Sequence, residues 1–163
     1  MSRAGTIDGL KFARDREVVT GTLRITDLPR LAELGCRSAA LTYWLRGVEN
    51  AAGRPALGVE ASGQLELQCQ RCLEPLDFSL AAAAELELST SEREIAGAED
   101  EVDRVLATRS MDVAGLIEDE AVLGLPFAPM HERCAAAAAS RDRNGAAPFA
   151  ALAGLRKGGR GES

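Results

Sequence analysis

The chain has 163 residues, 46% of them hydrophobic and 4% aromatic, and a net charge of −6. It is long enough for one domain with a tail and apolar enough to bury a core, which excludes wholesale disorder. No apolar run approaches the ~18–20 residues that cross a bilayer, and an acidic balance excludes a protein that clamps nucleic acid over its whole surface.

Residues 16–26 read as a strand, with Val19, Leu23 and Ile25 on one face and Thr20, Thr22 and Arg24 on the other. Asp27 is placed to N-cap a short helix in LPRLAEL, where Leu28, Leu31 and Leu34 recur at helical spacing and Gly35 offers a stop. Residues 38–48 alternate again: Leu41, Tyr43 and Leu45 oppose Thr42, Trp44 and Arg46. The Gly, Asn and Pro content of 49–55 predicts a turn. A longer extended segment follows over 57–69, and Gly63 in its middle predicts a bulge or bend. The CQRCLEP segment turns the chain into a further strand over 76–88, although alanines 81–84 favour helix.

The acidic stretch 91–103 lacks an apolar period and is expected to be a mobile surface loop. Asp112 then caps a helix ending at Gly124 and Pro126, with Val113, Leu116, Ile117 and, less regularly, Ala121 and Leu123 on its apolar face. Strands in succession, joined by short turns, predict an α+β fold: an antiparallel, barrel-like sheet with one main helix packed beside it. Its core must come from Leu, Val and Ala, with a few rings such as Trp44, Phe78 and Phe127. This single domain is expected over 1–134. Residues 135–163 are low in complexity, with PFAAL as a short apolar hook before a Gly-rich basic end, and are expected to form a flexible tail.

The N-terminus lacks the basic-then-apolar layout of a secretory signal, so a cytoplasmic protein is expected, with no membrane partner. In that reducing compartment the four cysteines serve as thiols or metal ligands. Cys69-x-x-Cys72 and His131-x-x-Cys134 together form a Cys₃His set, which satisfies tetrahedral zinc and makes one structural zinc ion the candidate cofactor. The competing reading carries similar weight. Cysteines are often small buried apolar residues, and the two pairs lie much further apart than in a short zinc finger. Cys36, beyond a helix end, reads as a core residue. A thiol-redox role is disfavoured because the CxxC joins two strands and does not open a helix.

Charge is unevenly spread. Residues 85–120 carry twelve acidic and three basic side chains, whereas 140–163 carry five basic (Arg141, Arg143, Arg156, Lys157 and Arg160) and two acidic. Glu118, Asp119 and Glu120 fan around much of their helix. Catalytic carboxylates need burial or a partner to tune them, and none is visible in the sequence. A solvated helix face, or a docking surface for a basic partner, is the reading adopted. Phosphate-binding glycine loops, nucleophile elbows and HExxH motifs are absent, which argues against an enzyme.

Three segments together resemble the YceD family, the large ribosomal RNA subunit accumulation proteins. They are LELQCQRCLEPLDFSL (65–80), DVAGLIEDEAVLGLPFAPMHERC (112–134) and PFAALAGLRKG (148–158). The resemblance implies a cytoplasmic bacterial protein that supports synthesis, processing or stability of large-subunit ribosomal RNA, without catalytic residues. Cys69, Cys72, His131 and Cys134 match its recurring Cys and His positions, while metal binding there is inferred from ligand chemistry alone. The alanine-rich 135–139 departs from members with a longer acidic segment. The expected partner is a basic ribosomal protein or assembly factor that meets the acidic surface around 85–120. Direct contact with ribosomal RNA is the alternative, and a metal-dependent or thiol-redox enzyme is a distant third.

Overall fold

A computed structural model describes residues 5–97 and 102–134. The tail predicted over 135–163 lies outside the described residues, as does the middle of the acidic stretch. In chain order the elements are β1 (Thr6–Ile7), α1 (Gly9–Arg14), β2 (Val18–Arg24), a 3₁₀ turn (Ile25–Asp27), α2 (Pro29–Glu33), β3 (Ser38–Glu49), β4 (Pro55–Gln68) and β5 (Pro75–Ser89). After these come α3 (Glu92–Ala96), β6 (Arg104–Leu106), β7 (Met111–Asp112) and α4 (Val113–Leu123).

The period-two pattern forms the sheet. Strands run in the order β2-β3-β4-β5-β6, and β1 pairs separately with β7. Leu41, Tyr43, Leu45, Leu57, Val59 and Leu65 are buried on one face, against which α1 and α4 pack. The opposite face presents Thr42, Trp44 and Arg46 to solvent. The fold is thus α+β, as predicted, but the sheet is mixed and open. β6 pairs parallel to β5, with Glu87 opposite Arg104, and the sheet does not close into a barrel. Helices bury its apolar face and the other face is polar, so closure would gain little. Among the described residues no helix is long and apolar enough to cross a membrane.

Gly63 produces no bulge. Register stays constant through it, pairing Gly63 with Leu41 on β3 and with Leu80 on β5. Its role is close approach: a Cβ there would collide with the Ala40 carbonyl. Alanines 81–84 remain in β5, where Ala82 and Ala84 pack against the core.

The rings are distributed differently from expectation. Phe12 and Tyr43 are buried, whereas Trp44 and Phe127 are exposed. Trp44 follows the inward Tyr43 along a strand, so alternation turns it outward. Leu34 and Leu123, predicted on apolar helix faces, are also exposed. The acidic stretch is only partly loop, because Ser91 caps α3 by accepting the Glu94 N–H. Asp27 does not cap α2: its carboxylate accepts the Arg24 N–H at 3.0 Å, closing the 3₁₀ turn. Leu28 occupies the N-cap position and has no side-chain acceptor to offer.

Candidate metal centre

Between β4 and β5, residues 69–74 form a tight knuckle. The Cys69 N–H donates to the Glu74 carbonyl and the Leu73 N–H to the Cys69 carbonyl, each at 2.9 Å. Leu73 takes a positive φ of 64° to complete the turn. Beyond α4, Gly124 caps the helix, and Pro126 prevents its continuation. The chain then runs back to the knuckle, where the Gln70 N–H donates to the Pro129 carbonyl at 2.8 Å. His131 and Cys134 arrive opposite Cys69 and Cys72 by this route.

The ligand atoms of Cys69, Cys72, His131 and Cys134 all lie within 4.8 Å of one another. This group could hold a metal ion. His131 Nδ1 is 3.4 Å from Cys72 Sγ, and its Nε2–H is placed to donate to the Pro75 carbonyl at 3.0 Å. That bond fixes the tautomer that leaves Nδ1 free as a ligand. Zinc–sulfur bonds of ~2.3 Å in a tetrahedron place sulfurs ~3.8 Å apart, so only small adjustments separate these atoms from a coordination sphere.

Electrostatics favour thiolate at one ligand at least. Backbone N–H groups of Cys72, His131 and Arg71 point at the Cys69 sulfur and, against its burial, lower its thiol to about 5. The Glu74 N–H also favours a Cys72 thiolate, but burial and the neighbouring Cys69 and Cys134 sulfurs outweigh it and push that thiol up. A divalent cation would relieve this crowding of negative charge. Arg71 completes the site: its Nε donates to Cys134 Sγ at 2.6 Å and its Nη2 to the His131 carbonyl at 2.9 Å. Three thiolates around Zn²⁺ carry one net negative charge, and this guanidinium offsets it. Arg71 lies between the two cysteines of the motif, yet sequence reasoning assigned it no role. The Pro75 carbonyl was also missed, and it carries no sequence signal.

Cys36 is a core residue, as expected. It is buried, donates to the Ser38 carbonyl at 3.0 Å, and burial pushes its thiol up.

The acidic run Glu118–Asp119–Glu120 does not form one solvated face. Glu118 and Glu120 are buried, and only Asp119 is exposed. Glu118 accepts from the backbone N–H groups of Arg30 and Leu31 and pairs with the Arg30 guanidinium, which also reaches Asp119. Glu120 has no such partner among the described residues. Burial, with Asp103 and Asp119 nearby, raises its carboxyl above the ordinary range.

Comparisons with curated proteins and with solved structures find no match. The family model described as "Large ribosomal RNA subunit accumulation protein YceD" matches residues 57–156. This stretch contains all but the first two residues of β4, the knuckle, β5, α4 and all four candidate ligands, and it is more than half of the chain. The chain belongs to the YceD family.

Proposed function

We infer that the protein is a non-catalytic factor that supports synthesis, processing or stability of large-subunit ribosomal RNA in the cytoplasm, with a structural zinc ion on Cys69, Cys72, His131 and Cys134. The carrying observation is the convergence of four protein donors from two distant segments. Four protein ligands saturate tetrahedral zinc and leave no position for substrate or water, the pattern of a structural centre. The zinc would clip the β4–β5 knuckle to the segment after α4. The family match supplies the biological setting: large-subunit ribosomal RNA accumulation.

The proposed partner is a basic ribosomal protein or assembly factor, drawn by the acidic excess of residues 85–120. Glu118 and Glu120 serve the interior, so exposed carboxylates such as Glu85, Glu92, Asp103 and Asp119 would carry the attraction. The deciding experiment compares large- and small-subunit ribosomal RNA in cells lacking the chain. A selective fall in the large-subunit species, restored by the wild-type chain and poorly by Cys69→Ser, supports the reading. An unchanged ratio refutes the ribosomal role. Full rescue by Cys69→Ser refutes a need for the metal clip.

A further inference from the structure

Beside the knuckle lies an apolar groove. Leu34, Leu67, Val122, Leu125, Pro126 and Phe127 line a cavity of about 470 Å³. Leu34 and Leu123 are mostly exposed at its rim, and Phe127 is wholly so. Large apolar side chains gathered on one surface mark a place where something apolar binds.

The chain itself supplies a candidate. Gln70 and Pro129 also line the groove, and they are hydrogen-bonded to each other. The neighbouring Arg71 holds Cys134. The last described residue, Cys134, therefore lies beside the groove. Twenty-nine residues follow it, and the large apolar side chains among them are Phe149, Leu152 and Leu155. They recur at every third position.

We propose that residues 148–155 dock in this groove of the same chain, with Phe149, Leu152 and Leu155 covering the rim formed by Leu34, Leu123 and Phe127. Thirteen residues, 135–147, link Cys134 to this run. Fully extended they would span ~40 Å, far more than an adjacent groove requires. A tether of this length holds the run at an effective concentration on the order of millimolar, so three apolar contacts can suffice. The family match ends at Arg156 and so includes this run together with the β4 and α4 walls of the groove. Docking would make the tail part of the surface beside the metal centre. The inference does not rest on the ribosomal role.

The test places the photo-crosslinker benzoylphenylalanine at position 149 of the full-length protein and maps its products by mass spectrometry. Crosslinks within one chain to Leu34, Leu123 or Phe127 are expected. Crosslinks between two chains, crosslinks scattered over other surfaces, or none would overturn the proposal. A second readout is amide exchange at residues 122–127 in the Phe149→Ser, Leu152→Ser double variant. Exchange about tenfold faster than in the wild type is expected, and an unchanged rate counts against docking. Neither position belongs to a strand of the described sheet, so an unchanged exchange rate in β3 and β4 serves as the control.

Discussion

Glu118 on α4 caps α2 at Arg30, 88 residues earlier in the chain: its carboxylate accepts the Arg30 N–H at 2.7 Å. The same oxygen accepts the Leu31 N–H at 3.1 Å, and the other oxygen pairs with Arg30 Nε at 3.1 Å. Pro29 has no N–H and Leu28 offers no side-chain acceptor, so this distant carboxylate replaces the local cap that α2 lacks. Glu118→Ala should cost about 2–3 kcal/mol, because buried donors lose their acceptor. Glu118→Gln, which keeps an acceptor oxygen, should cost less. Asp119→Ala should cost under about 1 kcal/mol, since it and Arg30 are both substantially solvated. Urea denaturation of the three variants checks the order.

Glu87 predicts a pH dependence. Burial alone would raise its carboxyl, but the Asn50 amide, Arg54 and Arg104 together hold it below the ordinary 4.5. A carboxylate lowered in the folded state contributes stability that is fully present above its unfolded value and is lost as pH falls through its folded value. The urea midpoint should therefore decline below about pH 4.5. Glu87→Gln should flatten part of that decline, which unfolding curves between about pH 2.5 and 7 would show. An identical acid limb in the variant would remove Glu87 as its source.

Gly63→Ala should destabilise the sheet by about 2 kcal/mol or more, because the new methyl meets the Ala40 carbonyl and not a side chain that can swing away. Thermal unfolding would reveal it. Gly35→Ala, where the added carbon has open space but φ is +88°, should cost closer to 1 kcal/mol.

Removing the proposed metal with a chelator should lower Tm by about 10 °C, the shift expected for roughly 3 kcal/mol in a chain of this size. Hydrogen exchange should accelerate first in residues 69–74 and 126–134. The central strands β3 and β4, anchored by fully buried Leu41, Leu45 and Leu57, should stay protected. Uniform acceleration across the sheet would mean that the centre holds the whole fold and not one clip.

What could be read directly from the sequence was whatever rests on local periodicity. Alternation in β3 located its inward and outward residues, and Asp112 and Gly124 marked both ends of α4, because strand pleat and helix caps are local physics. Long-range pairings were hidden. Arg30 gave no sign that it would meet Glu118, so the acidic run was expected to face solvent. β6 is only three residues long and follows the acidic stretch, so its parallel pairing with β5 had no local signal. α1 was missed because six residues offer too few turns for a period, although Asp8 does cap it by accepting the Lys11 N–H. The candidate ligands stood out by residue type, but their convergence depends on the path from Gly124 to Pro129, which spacing alone does not fix.

The most direct test is the metal content of full-length protein purified without an affinity tag or chelator, with thiols counted in parallel. One zinc per chain is expected, lost in Cys72→Ser, with Cys69, Cys72 and Cys134 shielded from thiol reagents until the metal is removed. Metal-free protein whose Cys69, Cys72 and Cys134 react without delay would rule out the metal centre and reduce the cluster to packing residues.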